Sequence, residues 1–374
     1  MTESQKSLEI SLYLHIPFCD SKCGYCAFNS EVNKNHLKIL YMTTLAKYIS
    51  HKFKEILKNT QHKQLKITSV YIGGGTPSVI QPHLYESIFA EFMPLLKPQA
   101  EISIEANPDS LTLEWLSTLK SLGVNRLSLG VQSFESKKLA FLERNHNIES
   151  TYNAIEIALK VGLDNLNIDL IYGTPFCNRK LLEYELEVAC SLPLSHISAY
   201  HLSLDEGSRL YHKYKKNPNG FFILNPSEEF EDFLSIGHFV SHYLKKAGFW
   251  QYEVSNYTKA KPSYHNLRYW EGKEYLGIGA GAVGYTEGTR TTMPKNIERF
   301  LSSFNEEKEI LTPHNQLLEH LFLGFRSCVG VEAKRIPNIR NLGILLNENK
   351  VEREKERIYA KDYFLGDEIA LFVS

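Results

Sequence analysis

The apolar residues of this chain follow two periodicities. Six short runs rich in β-branched and aromatic residues, SLYLHI, ITSVYI, EISIEA, RLSLGVQ, NLNIDLIYG and HISAYHL, read as strands. Between them, segments such as HLKILYMTTLAKYISHKFKEILK and LTLEWLSTLKSLG return an apolar residue every three or four positions, as an amphipathic helix does. The order is β-α, repeated. A crossover that contains a helix is long enough to join parallel strands, and its fixed hand makes successive units wind the same way. Six units therefore predict an α/β fold, a partial (β/α)6 barrel that falls short of the eight units of a full one.

After about Ser203 the repeat stops. A polar connection containing KYKKNPNG leads to a helix expected from about Glu228 to Ala247, and then to WQYEVSNYTK. From about Thr312 the chain reads as two or more helices and a small hairpin within NKVEREKERIYAKDYFLGDEI, whose charged portion suits a solvated surface. The expected division is a barrel core over residues 1–205 and a smaller α+β domain over 206–374 that covers the barrel mouth. Glycine and polar residues follow several strands, as at Gly73 and Gly173, which places the functional face at the carboxyl ends of the strands.

Charge removes some classes of function. Lys and Arg total 42 against 43 Asp and Glu in 374 residues, a net charge of -1, so the electrostatic footprint of a nucleic-acid binder is missing. MTESQKSLEI has no basic flank leading into an apolar stretch and does not read as a secretory signal. No run approaches the roughly 18 apolar residues of a membrane helix. The expectation is a cytoplasmic protein without stable membrane insertion, for which transient docking to a membrane would need only a local surface. Six cysteines are too few for a disulfide scaffold; Cys177, Cys190 and Cys328 read as small buried hydrophobes without a role.

The other three cysteines carry the chemistry. HIPFCDSKCGYCAF sets Cys19, Cys23 and Cys26 in a CxxxCxxC spacing on a loop directly after the first strand. Soft thiolates suit iron–sulfur clusters and zinc, and three protein ligands on a four-iron cluster leave one iron open. The alternative is zinc held by the three thiolates and His15. Gly73, Gly74, Gly75 and Thr76 in GGGTPS follow the second strand, where absent side chains let backbone approach a ligand or simply form a tight turn. Polar residues stand at later strand ends: Glu105, Gln132, Arg144 and Asp169. A carboxylate can accept from ammonium or hydroxyl groups and Arg144 can grip a carboxylate; alternatively Asp169 caps a helix and Arg144 makes a surface ion pair.

CDSKCGYC, preceded by YLHIPF and followed by GGGTPS, resembles the radical S-adenosylmethionine superfamily, and within it the oxygen-independent coproporphyrinogen III oxidase family. The resemblance implies a 4Fe-4S cluster on Cys19, Cys23 and Cys26, with S-adenosylmethionine on the open iron. It also implies cofactor contacts at Tyr13, Tyr25, Gly73, Gly74, Gly75, Thr76, Glu105, Gln132, Arg144 and Asp169, and one-electron chemistry that side chains alone do not perform. The oxidase branch carries a further cysteine two positions after the third ligand and a longer leading segment; here Phe28 stands at that position and 18 residues precede Cys19. Both departures, with YEVSNYTK and HNLRYWEGKEYLGIGAGAVG, resemble the HemW-type haem-chaperone branch. That branch implies haem, haem-accepting apo-proteins such as respiratory enzymes and an electron donor as partners. His265 of HNLRYW becomes the candidate haem ligand, unless the motif only stitches the second domain to the barrel. Family members often have a histidine where this chain has Val283. The second functional reading is the oxidase itself, decarboxylating the propionates of coproporphyrinogen III; a third is a radical enzyme with an unrelated substrate.

Overall fold

The computed structural model describes residues 7–59, 64–217, 230 and 232–374. All six expected strands form: β1 (Leu8–Ile16), β2 (Leu65–Gly74), β3 (Leu96–Ala106), β4 (Arg126–Gln132), β5 (Leu166–Tyr172) and β6 (His196–His201). Each pairs with the next in parallel register. Helices such as Lys38–Asn59, Leu113–Leu122, Ile148–Lys160 and Arg179–Ser191 make the crossovers. Side chains that meet at Asn147 show why a helix starts there: its Oδ1 accepts from Ser150 N–H at 2.8 Å and Ser150 Oγ answers with a bond to Asn147.

The two faces of the strands differ in chemistry. On β1, Ile10, Leu12, Leu14 and Ile16 are fully buried in the main apolar core. Ser11, Tyr13 and His15 alternate with them and so face the opposite side. The same alternation continues around the sheet, through Ser69 and Tyr71, Ser103 and Glu105, Arg126 and Ser128, Asn167 and Asp169, and Ser198 and Tyr200. Strands buried on both faces ordinarily read as continuous apolar runs. Here the inner face is polar, so the barrel encloses a site.

The expected boundary at residue 205 does not divide the sheet. Beyond it lie β7 (Trp250–Glu253), β8 (Asn256–Thr258), β9 (Tyr275–Ile278), β10 (Val283–Thr286), β11 (Thr289–Thr292) and β12 (Glu307–Ile310). They extend the same sheet at both ends, in the order β12-β11-β10-β9-β1-β2-β3-β4-β5-β6-β8-β7. Both edge strands of the six-stranded core have open hydrogen-bonding edges, and the later chain pairs them: β9 runs parallel to β1, and β8 antiparallel to β6. A separate core forms only after Thr312, around Leu321, Phe325, Ile358 and Ile369, with β13 (Val331–Glu332), β14 (Val351–Glu354) and β15 (Arg357–Ala360). This matches the helices and hairpin expected there. The helix expected from Glu228 is observed as Phe233–Lys246; Glu228 and most of the polar connection lie outside the described residues.

The HNLRYW motif forms the short helix Tyr264–Trp270, anchored on the barrel by one carboxylate. Glu101 accepts from Ser263 Oγ (3.0 Å), Tyr264 N–H (2.9 Å) and His265 N–H (3.1 Å). Replacing Glu101 with Ala leaves those helix-start donors without their acceptor. We expect Glu101→Ala to cost about 2 kcal/mol in urea unfolding. A change below about 0.5 kcal/mol would show that the helix docks without it.

Candidate functional site

At the end of β1 the chain turns into the cysteine loop, and the end of β2 is stitched directly to it. Gly75 N–H donates to Ile16 O and Thr76 N–H to Phe18 O, both at 2.8 Å. Thr76 Oγ1 donates to Cys19 Sγ at 3.4 Å. A Cβ on Gly75 would lie 2.7 Å from Phe18 O and 3.0 Å from Cys19 Sγ, and one on Gly73 would lie 2.8 Å from the Glu105 carboxyl. Gly74 has a φ of +120° and gives its N–H to Glu105 Oε2 at 3.0 Å. The triple glycine is therefore a close approach of backbone to both the cysteine loop and the Glu105 carboxyl.

Cys19, Cys23 and Cys26 line one cavity of about 130 Å³ with Tyr25, Gly74, Gly75, Thr76, Glu105, Gln132, Arg144 and Asp169. Burial raises the thiols of Cys19 and Cys26 above the ordinary cysteine range, partly offset at Cys19 by the Thr76 hydroxyl. Ligand thiols must lose their protons, which a metal centre drives. Arg144 is half-buried: it reaches Cys23 Sγ through Nη1 at 3.3 Å, and its Nη2 holds Asn107 Oδ1 (2.8 Å) and Gly130 O (2.6 Å). It is no surface ion pair. Among the described residues no three His, Cys, Asp or Glu side chains converge as ligands of a single ion do. Three soft thiols spread around one cavity suit a multi-iron cluster. The zinc alternative lacks its fourth ligand, because both ring nitrogens of His15 are engaged, Nδ1 with the Tyr13 hydroxyl (2.9 Å) and Nε2 with Asn29 O (2.7 Å).

A second cavity, of about 440 Å³, continues from the first along the barrel axis. Tyr25, Cys26, Phe28, Glu105, Gln132 and Asp169 border both. Glu105 Oε1 accepts from the Tyr71 hydroxyl at 2.8 Å, and burial pushes the Glu105 carboxyl up to about 7. Asp169 sits within β5, where it accepts from Asn167 Nδ2 (2.9 Å) and Ser128 Oγ (3.4 Å). It caps no helix. Gln132 has a φ of 66°, at the bulge where the β4–β5 register shifts, and this strained backbone sets its amide at the junction of the two cavities.

Three expected residues stand elsewhere. Tyr13 lines neither cavity; its hydroxyl is taken by His15 and its ring stacks on Tyr71. Gly73 lies behind the cavity wall, against Glu105. His265 is 1% exposed, with Nδ1 bonded to Ser69 Oγ at 2.9 Å and Nε2 buried without a partner. It lines none of these spaces, whereas Tyr269 and Trp270 of the same motif border a third cavity of about 620 Å³ on another side of the helix. Sequence reasoning missed Tyr71, Asn107, Arg126 and Asn167. For Tyr71, Arg126 and Asn167 the available signal was the polar residue recurring at every second position of otherwise apolar strands. Asn107, in the loop after β3, had no such signal.

Fold and site together define a radical S-adenosylmethionine protein, and the model of that superfamily matches residues 13–188. The heme chaperone HemW of Bacillus subtilis is 34% identical over 335 residues, 87% of this chain and 85% of its own. That of Escherichia coli is 33% identical over 309 residues, covering 78% and 75%. The chain belongs to the HemW family. In fold it is also similar to the coproporphyrinogen III oxidase HemN of Escherichia coli, with a TM-score of 0.81 and 20% identity over 98% of this chain and 91% of the other. The family's cofactors are a 4Fe-4S cluster and S-adenosylmethionine. When bound, they supply one-electron chemistry to a site whose residues hold, orient and enclose them.

Glu105 gives a pH signature. A carboxyl whose folded pKa is raised binds more protons folded than unfolded, so stability falls as pH rises from about 4.5 to about 7. Glu105→Gln should abolish that part of the decline, of the order of 3 kcal/mol across the window. Urea unfolding of both proteins at several pH values checks it; identical slopes would contradict it.

Proposed function

We propose that this protein is a haem chaperone: it binds haem and passes it to haem-requiring apo-proteins, while the cluster and S-adenosylmethionine occupy the barrel. The observation that carries the reading is the set of relatives named heme chaperone HemW, 31–36% identical over most of this chain. One side chain supports it. Phe28, where the oxidase branch carries a thiol, borders both barrel cavities and is 70% exposed. An exposed ring at that mouth offers apolar contact to a flat ligand and no thiol chemistry.

His265 is the proposed ligand of the haem iron. Burial pushes its imidazole down to about 3, so the ring is neutral, and Nε2 has a lone pair or proton that no described residue engages. Ligation requires the helix Tyr264–Trp270 to leave Glu101, which makes haem loading a movement of this helix. The neighbouring Arg126 charge further disfavours the protonated ring.

The oxidase reading rests on the intact cofactor cavity and is tested on the same material. After anaerobic reconstitution of the cluster, we expect haem binding in spectrophotometric titration and no conversion of coproporphyrinogen III; sustained protoporphyrinogen formation would reverse the assignment. His265→Ala should weaken haem binding at least about tenfold and shift the Soret band while the cluster absorbance persists. An unchanged Soret band would remove His265 as ligand and leave it as a tether.

A further inference from the structure

Arg126 is the first residue of β4 and is 3% exposed. A buried guanidinium normally spends its five donors on carboxylates or carbonyls, since an unpaired buried charge costs several kcal/mol. Arg144, at the cysteine end of the site, spends its donors on Cys23 Sγ, Asn107 Oδ1 and Gly130 O. The Arg126 guanidinium makes no hydrogen bond and no ion pair among the described residues, and it borders the 440 Å³ cavity.

Its carboxylate neighbours are committed elsewhere. Glu101, the acidic group that acts on it most strongly, accepts from Ser103, Ser263, Tyr264 and His265. Asp169 is held by Asn167 and Ser128. Neither comes within ion-pair distance of Arg126. Their field keeps the guanidinium charged without using its donors. The cavity thus has two chemically distinct ends. At the carboxyl ends of the strands it opens onto the cysteines; at the amino-terminal end of β4 it meets an unspent, planar, bidentate cation, flanked by the amides of Asn167 and Asn266 and the hydroxyl of Ser198. Tyr71, Tyr200 and Leu202 form walls between them.

We propose that Arg126 is a carboxylate-binding site at the inner end of the barrel, which anchors a ligand lying between it and the cofactor. The fork geometry of guanidinium matches a carboxylate through two parallel hydrogen bonds, and the enclosed position makes that pair stronger than on a surface. Two carboxylates are at hand under the proposed function on which this inference builds: a haem propionate and the carboxylate of the methionyl group. The first would hold haem by its edge close to His265, whose imidazole already feels the Arg126 charge.

The test compares full-length, cluster-reconstituted wild type with Arg126→Gln and Arg126→Lys, titrated separately with haem, with haem dimethyl ester and with S-adenosylmethionine. We expect Arg126→Gln to bind one of the two carboxylate ligands about ten- to hundredfold more weakly, with Arg126→Lys recovering part of the loss. Loss for haem, with dimethyl ester binding unchanged between wild type and variant, identifies the propionate. Loss for S-adenosylmethionine alone identifies the cofactor's carboxylate. Equal affinities of wild type and Arg126→Gln for all three ligands would overturn the site, as would an equal loss for haem and its diester with no effect on S-adenosylmethionine. Far-ultraviolet circular dichroism and cluster absorbance show that the variants are folded; if Arg126→Gln does not fold, the Lys variant carries the same comparison. Wild-type protein that binds no haem at all would refute the chaperone reading while leaving the S-adenosylmethionine arm to decide on Arg126.

Discussion

The polar inner face of the six parallel strands is the constraint on which the molecule rests. Helices cover one face of the sheet and bury Ile10, Leu12, Leu14 and Ile16 with their counterparts. The other face turns Glu105, Arg126, Asn167 and Asp169 toward one another in an enclosed space. Buried polar groups are stable only when they are bonded or when a ligand completes them. Most of this set is satisfied pairwise across strands, as in Asn167 with Ser128 and Tyr71 with Glu105. What stays open, the thiols at one end and a guanidinium at the other, marks where the barrel waits for something else.

That interior is stable only because the rest of the chain closes around it. β9 pairs with β1 and β8 with β6, so neither edge of the six-stranded core is left bare. The later segment also braces the cluster loop. The Tyr41 hydroxyl donates to His15 O and accepts from Ala280 N–H, and Asn29 Nδ2 donates to Ala280 O and Lys295 O. On the other side Leu210 N–H bonds Gly24 O, and Arg209 reaches Lys22 O and Glu143. The cysteine loop is thus held from several directions by residues far from it in sequence. Rigid support of this kind keeps a ligand set in place before its metal arrives.

The site was legible in sequence where its chemistry is local. CxxxCxxC puts three ligands on one loop, GGGTPS marks a close backbone approach, and both survive intact in the structure. Glu105 and Gln132 could be found because they stand at the ends of their strands, whereas Asp169 lies within β5 and Arg144 in the loop beyond the helix Ser136–Phe141. Tyr13 could not be placed by the same logic: it alternates inward correctly, yet its hydroxyl is claimed by His15, two residues on along the same strand face. His265 was legible as an unusual histidine among aromatics, but its direction depends on Ser69 and Glu101, 196 and 164 residues earlier. The periodicity changes at residue 205, while the sheet continues past it through strands that pair with β1 and β6.

The sequence by itself determined the repeating β-α order, the inward and outward sides of each strand, and the three-thiol loop, since all of these follow from spacing along a few residues. Only the tertiary structure decided which polar groups are spent and which are free. Arg126 looks like any strand residue in RLSLGVQ; it is exceptional because the carboxylates that surround it in space, Glu101 and Asp169, have given their lone pairs to other partners. Hydrogen-bonding capacity is shared among neighbours in three dimensions, and no one-dimensional pattern records how it has been divided.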